Sequence, residues 1–170
     1  PMGAEMVVRA TPDGYTITFV SASYGANPAL YKLPYDPVKG IAPISLLATG
    51  PLIVVAGPAL KPNSIPELIE FARAHPDAVH YGSTGVGRLA HLIGALFDQI
   101  TGTRMVHVPY KGAGPGLNDL LGAQIEIGYY TAVAVVPHVK TGRLRALAVT
   151  TAKRAEAFPN VPAVGEFVPG

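Results

Sequence analysis

The run Tyr81-Gly82-Ser83-Thr84-Gly85-Val86-Gly87-Arg88-Leu89-Ala90-His91 sets two hydroxyls and a histidine among three glycines. Before it, Val79-His80-Tyr81 reads as a strand. After it, Leu89, Leu92, Ile93, Leu96, Phe97 and Ile100 recur at helical spacing. A strand, a glycine loop and a helix N-terminus leave backbone N–H groups pointing outward, where they attract an anion. Ser83 and Thr84 add neutral donors and demand no buried counter-charge, which suits a small carboxylate. Phosphate fits less well. Gly82 and Gly87 have P-loop separation, but Arg88-Leu89 stands where Lys and Ser/Thr are needed. Gly85-Val86-Gly87-Arg88-Leu89-Ala90 matches G-x-G-x-x-A, yet the next strand ends in Val108-Pro109-Tyr110-Lys111 with no ribose-binding acid. A nucleophile elbow needs Gly two residues before the serine, and Tyr81 occupies that position. The plain alternative is a tight strand-to-helix turn without a ligand.

Other chemistry-bearing residues are fewer. His91 lies in the first turns of a helix, where the dipole disfavours a charged ring. It reads as a neutral hydrogen-bonding residue that fixes the loop, or as a ligand contact. The five histidines are dispersed, none in an i, i+4 pair, and there is no cysteine, so no metal site is expected. Tyr110 and Lys111 follow a strand and either close on a carboxylate or form a Pro-Tyr turn with an exposed lysine. Asp119 and Glu126 read as a solvated helix face and a strand edge. In Tyr129-Tyr130-Thr131, alternation sends one tyrosine to the core and the other, Tyr130, to the rim.

The elements that must position these residues alternate along the chain. Tyr15–Val20 reads as a strand followed by the small-residue loop Ser21–Gly25, and Asn27–Ile41 as irregular. Ile44–Leu47 and Leu52–Ala56 read as one long bent strand. Ser64-Ile65-Pro66-Glu67 has capping-box spacing before the apolar face Ile65, Leu68, Ile69, Ala72. Then come a strand at Val79–Tyr81, a helix from Leu89 to Ile100 closed by Gly102, and a strand at Met105–Val108. A short helix to Gly122, a strand at Ile125–Tyr129, a helix at Ala132–Lys140 and a strand at Leu144–Val149 complete the series. Such alternation predicts a mainly parallel, doubly wound α/β sheet. Its ligands sit beyond the strands' C-terminal ends. The loops Ser21–Gly25, Gly82–Gly87, Pro109–Gly112 and Tyr130–Thr131 would share that rim. Net charge is +2 with scattered basic residues, which argues against nucleic acid, and no run of about 18 apolar residues exists to insert into a membrane. Gly3–Ala10 reads as a helix tail without a start, and Phe167–Gly170 as a loop without a closing element. A piece of a longer protein is therefore expected.

Several segments together resemble one family. They are Pro12-Asp13-Gly14-Tyr15-Thr16, Asn27-Pro28-Ala29-Leu30-Tyr31, Leu33-Pro34-Tyr35-Asp36-Pro37 and Tyr81–Gly87. His107-Val108-Pro109-Tyr110-Lys111-Gly112, Leu144–Arg154 and Pro159–Val164 complete the set. In order, they look like the Bug family, the periplasmic solute-binding receptors of tripartite tricarboxylate transporters. The resemblance implies a type II periplasmic-binding-protein-like α/β fold of two doubly wound lobes, with the first lobe incomplete here. Residues 1–48 and 150–170 would form part of the first lobe and residues 49–149 the second. It implies a periplasmic receptor that binds a small carboxylate in the interlobe cleft through backbone amides, hydroxyls and water. Membrane transporter subunits would be its partners, with no cofactor, no metal and no catalysis. Motif by motif, Ser21, Ala22 and Ser23 match the first-lobe ligand loop. Ser83, Thr84, Gly85 and Gly87 match the second-lobe loop, His91 the helix histidine after it, and Pro109, Tyr110 and Lys111 the next strand end. Tyr130-Thr131-Ala132-Val133 departs from the Asp or Asn common at that place, which weakens an amino-acid ligand. Arg88, where many relatives have a small residue, either adds positive charge at the helix start or is solvated. An α/β enzyme, nucleotide-dependent or hydrolytic, and a recruited ligand-sensing module are the alternatives.

Overall fold

A computed structural model describes residues 2–168. They fall into two compact units, one up to Thr49 and one from Gly50 onward.

The first unit contains helix α1 (Met2–Val8), a 3-10 turn at Ala22–Ala26 and the short helix α2 (Asn27–Leu30). Local side-chain bonds shape the rest. Asp36 accepts the N–H groups of Val38 and Lys39 at 2.8 and 2.9 Å, and the Tyr24 hydroxyl donates to the Pro37 carbonyl at 2.8 Å. The strands expected at Tyr15–Val20 and Ile44–Leu47 do not form. Both runs lack regular secondary structure and are exposed, with Ile17 and Phe19 each 73% accessible and Ile44 83%. A strand needs a neighbour to receive its N–H and C=O groups. These runs have none among the described residues.

The second unit is a five-stranded sheet in the order β3-β2-β4-β1-β5. The strands are β1 (Leu52–Ala56), β2 (His80–Ser83), β3 (Val106–Pro109), β4 (Ile127–Thr131) and β5 (Arg145–Val149). Four run in one direction. β1 opposes them, pairing antiparallel with both β4 and β5. The sheet expected to be mainly parallel is mixed, with four strands running one way and β1 against them, and the long bent strand reduces to β1. Because β1 is reversed, its start at Leu52 lies opposite Thr131 at the end of β4. The C-terminal ends of β2, β3, β4 and β5 and the start of β1 thus share one rim.

Helices cover both faces of this sheet. On one face, α3 (Ile65–Ala74) and α4 (Leu89–Thr101) pack Leu68, Ala72, Ala90 and Phe97 against Val54, Tyr81 and Tyr129. On the other, α5 (Ala113–Leu121) and α6 (Ala132–Lys140) pack Leu120 and Val135 against Ile53, Val55 and Tyr130. Each fully buried aliphatic side chain contributes about 1.5–3 kcal/mol. The stretch 150–168, placed by motif in the first lobe, here packs on β5. The Val149 N–H donates to Pro162 O at 2.8 Å, Val149 bridges Ala163 in parallel, and Ala163 is fully buried.

Candidate functional site

Three helices begin at the rim of the second unit: α4 after β2, α5 after β3 and α6 after β4. None of the three has a side-chain cap; their N-cap residues are Arg88, Gly112 and Thr131. At the opposite edge the chemistry reverses. There, α3 follows the far end of β1 and carries the predicted capping box. The Glu67 N–H donates to Ser64 Oγ, and the Glu67 carboxylate accepts from the Asn63 N–H at 3.0 Å and from the Ser64 hydroxyl at 3.0 Å. Uncapped N-termini keep outward N–H groups and the positive end of the helix dipole. The rim segments 84–88, 109–112 and 131–133 contain no Asp or Glu, while Arg88 and Lys111 are exposed there. Neither cation enters an ion pair among the described residues. The rim therefore gathers three helix N-termini and two exposed cations with no acid in these segments.

The loop between β2 and α4 is tied down from behind. Gly85 and Gly87 adopt φ +131° and +74°, backbone conformations that favour glycine. The Gly85 N–H donates to Ser83 Oγ at 3.2 Å, and the Gly87 N–H donates to His91 Nδ1 at 3.2 Å. Ser83 Oγ lies 2.6 Å from His107 Nε2. The His91 and His107 rings stack at 4.1 Å, and Tyr81 stacks on the other ring partner, His107, at 5.0 Å. Burial, and secondarily His91, push the His107 pKa down to about 4, so its ring is neutral near pH 7. A serine 2.6 Å from a neutral histidine has nucleophile–base geometry. Ser83, however, is only 1% exposed, and His107 has no carboxylate partner among the described residues.

The expected site residues separate into groups. Ser83, Thr84, Gly85, Gly87 and His91 come together in the loop, but Ser83 faces inward rather than outward. Its hydroxyl binds the loop itself. The amides of Gly85 and Gly87 are likewise engaged within the loop. Thr84 is half-exposed, and Thr131, Pro109 and Lys111 are exposed at neighbouring strand ends. Tyr110 turns toward α5, where its hydroxyl donates to Asp119 Oδ2 at 2.8 Å. Burial and the Asp119 bond raise its pKa to about 12. Asp119 is thus a hydrogen-bond acceptor rather than a solvated acid. Glu126 likewise binds His80, accepting its backbone N–H at 2.7 Å.

Tyr130 is a correction. Alternation does send Tyr129 and Tyr130 to opposite faces, yet both are buried, at 1% and 2% exposure, because helices cover both faces. Space for the Tyr130 ring exists only because its neighbours are glycines. A Cβ on Gly128 would lie 2.2 Å from the ring, and one on Gly116 would lie 2.6 Å from the hydroxyl. In the first unit, Ser21 Oγ lies 2.9 Å from Ser23 Oγ, with Ser21 and Ala22 exposed and Ser23 buried. His107 was not among the expected site residues. Its signal was period two: β2 and β3 are parallel neighbours, and His107 stands opposite Tyr81, on the face that also carries Ser83.

Comparison with known proteins gives the family and the fold. Residues 1–169 match the family model described as the tripartite tricarboxylate transporter family receptor. Protein BugT of Bordetella pertussis is 34% identical over 98% of this chain and 52% of its own length. The structure of Rhodopseudomonas palustris Rpa4515 with adipate superposes with TM-score 0.89 at 32% identity, covering 99% of this chain and 57% of that one. MatC from the same organism, with bound malate, gives TM-score 0.81 at 27% identity over 97% of this chain and 57% of its own. The chain spans about half the length of the relatives it matches. With its mixed α/β sheet and this match across nearly every residue, the chain belongs to the Bug family, the solute-binding receptors of tripartite tricarboxylate transporters.

Proposed function

We propose that the intact protein is a periplasmic receptor that binds a small carboxylate in an interlobe cleft and delivers it to membrane transporter subunits. The observation that carries this reading is the contrast in capping. Three helices meet the rim uncapped beside Arg88 and Lys111, whereas α3, at the far edge, satisfies its own N-terminus with Ser64 and Glu67. Helix N-termini left open in this way suit an anionic group. The relatives with adipate and malate supply the ligand class.

In this reading the second-lobe donors are the first N–H groups of α4 with Thr84, supported by Thr131 and Lys111. Gly85, Gly87, Ser83 and His91 shape the loop, and Pro109 and Tyr110 brace the next strand end. Ser21, Ala22 and Ser23 belong to the opposing loop of the first lobe, to which residues 1–48 contribute, and residues 49–149 form the body of the second. Backbone amides, hydroxyls and water hold the ligand without reaction. Binding shifts the intact protein toward its closed form because each lobe contributes to the site.

The test is thermal unfolding of the full-length protein with dicarboxylates, tricarboxylates, aromatic acids, amino acids and nucleotides. A ligand at a hundred times its Kd stabilises by about 2.7 kcal/mol, a readily measured upward shift of Tm. Stabilisation by a nucleotide and by no carboxylate would replace this reading with that of a nucleotide-dependent protein.

A further inference from the structure

The geometry points to His107 as a positioning residue for the carboxylate loop: through Ser83 and through the stacked His91 ring it holds the Gly85 and Gly87 amides in place. This deepens the receptor reading and rests on it for the ligand. Two fasteners close the loop, and His107 touches both. The first runs from His107 Nε2 to Ser83 Oγ at 2.6 Å and on to the Gly85 N–H at 3.2 Å. The second runs from the His107 ring to the His91 ring at 4.1 Å, and from His91 Nδ1 to the Gly87 N–H at 3.2 Å.

The proton accounting assigns the roles. The Ser83 hydroxyl accepts the Gly85 N–H and has one proton of its own to donate. Gly85 O lies 3.2 Å away and His107 Nε2 2.6 Å; if the serine proton goes to Gly85 O, the ring's own Nε2–H donates to Ser83 Oγ, and if it goes to Nε2, the ring carries its proton on Nδ1. Either tautomer ties the ring to the hydroxyl, and burial keeps that ring neutral. His91 Nδ1 accepts an N–H and so carries no proton in this arrangement. Behind His107 stands Tyr81, stacked at 5.0 Å and itself held edge-on by Tyr129 at 5.8 Å. Gly94 on α4 gives Tyr81 this place, since a Cβ there would meet its ring at 2.3 Å. The loop is therefore referenced to the sheet core through aromatic contacts rather than through the exposed residues of the rim. Arg88 follows as the residue that opens α4, its N–H donating to Gly85 O at 3.2 Å, so the direction of the helix start depends on where Gly85 is held.

The experiment uses the full-length protein and compares His107→Phe, Ser83→Ala, the double variant and His107→Gln. Phenylalanine keeps a ring for stacking and removes Nε2; glutamine returns a hydrogen-bonding group. Hydrogen exchange of individual amides reads the loop without ligand. The expected result is exchange about tenfold faster at Gly85 in His107→Phe and in Ser83→Ala, no further gain in the double variant, and partial recovery in His107→Gln. The core amide of Val54 stays protected throughout. Unchanged exchange at Gly85 in His107→Phe, or equal acceleration at Gly85 and Val54, overturns the inference, the latter because it marks a general loss of stability. The binding arm uses adipate and malate. If the unmodified protein binds either, His107→Phe is expected to weaken it about tenfold, and equal affinity overturns the positioning role. If the unmodified protein binds no carboxylate, the receptor reading fails, while the exchange result still decides whether His107 holds the loop.

Discussion

Tyr15-Thr16-Ile17-Thr18-Phe19-Val20 and Leu52-Ile53-Val54-Val55-Ala56 are both rich in strand-forming residues, yet they have opposite fates. The second becomes β1, paired on both edges, with Val54 and Val55 at 1% and 0% exposure. The first forms no strand and stays exposed, with Tyr15 at 91% exposure. Intrinsic preference is similar, so preference does not make the difference. Ladder partners do. β1 has β4 and β5 beside it and helices on both faces, whereas the Tyr15 run has neither among the described residues. β-propensity describes fitness for a sheet surface; a sheet must still be supplied.

The contrast can be tested at three levels. The largest effect is expected from Leu68→Ala, which opens a cavity in the fully buried face of α3 and should cost about 2–5 kcal/mol in urea unfolding. A loss below about 1 kcal/mol would mean that this core is loosely packed in solution. The next effect is the response to acid. His107 has its pKa lowered from 6.5 to about 4 in the fold, with Tyr81 on β2 and His91 on α4 facing it. Between those values the unfolded chain takes up a proton that the native ring refuses. The contribution of the neutral His107 ring to stability is therefore complete above 6.5 and falls as pH drops toward 4, and His107→Phe should flatten that part of the slope. The first unit responds later. Asp36 is held below its ordinary 3.8 by the Lys39 and Val38 amides, so the stability it contributes persists above 3.8 and is lost as pH falls further. A single acid transition common to both units would erase the distinction. The smallest effect is expected from Phe19→Thr with Leu46→Thr, both at exposed positions, which should change unfolding free energy by no more than about 0.5 kcal/mol each. If either approaches the cost of Leu68→Ala, the bare runs are covered in solution and the two regions are alike.

Much of the second unit was legible because local rules and the final structure agree. Ser64 and Glu67 announced the start of α3. Gly102 announced the end of α4, where it adopts φ +63° and ψ +28°. Strand boundaries moved by a residue or two, as hydrogen-bonded ends do. The reversal of β1 was not legible. An apolar run of five residues carries no direction, and only its register against Thr131 and Val149 reveals it. Nor was the inward turn of Ser83. A small hydroxyl in a glycine loop looks the same whether it faces a ligand or its own backbone.

From the residues alone came the α/β alternation, the loop at Gly82–Gly87, the anion chemistry of a strand-to-helix turn, and the motifs that place the chain in its family. These are properties of spacing and side-chain type, which a linear chain carries in full. Tertiary structure decided the rest. It placed Tyr130 in the core, because helices cover the face that alternation left open. It brought His107 from twenty-four residues away to 2.6 Å from Ser83, because β2 and β3 lie side by side. It left three rim helices uncapped while α3 capped itself. Period fixes which face a side chain takes; what stands opposite that face is settled only when distant segments meet.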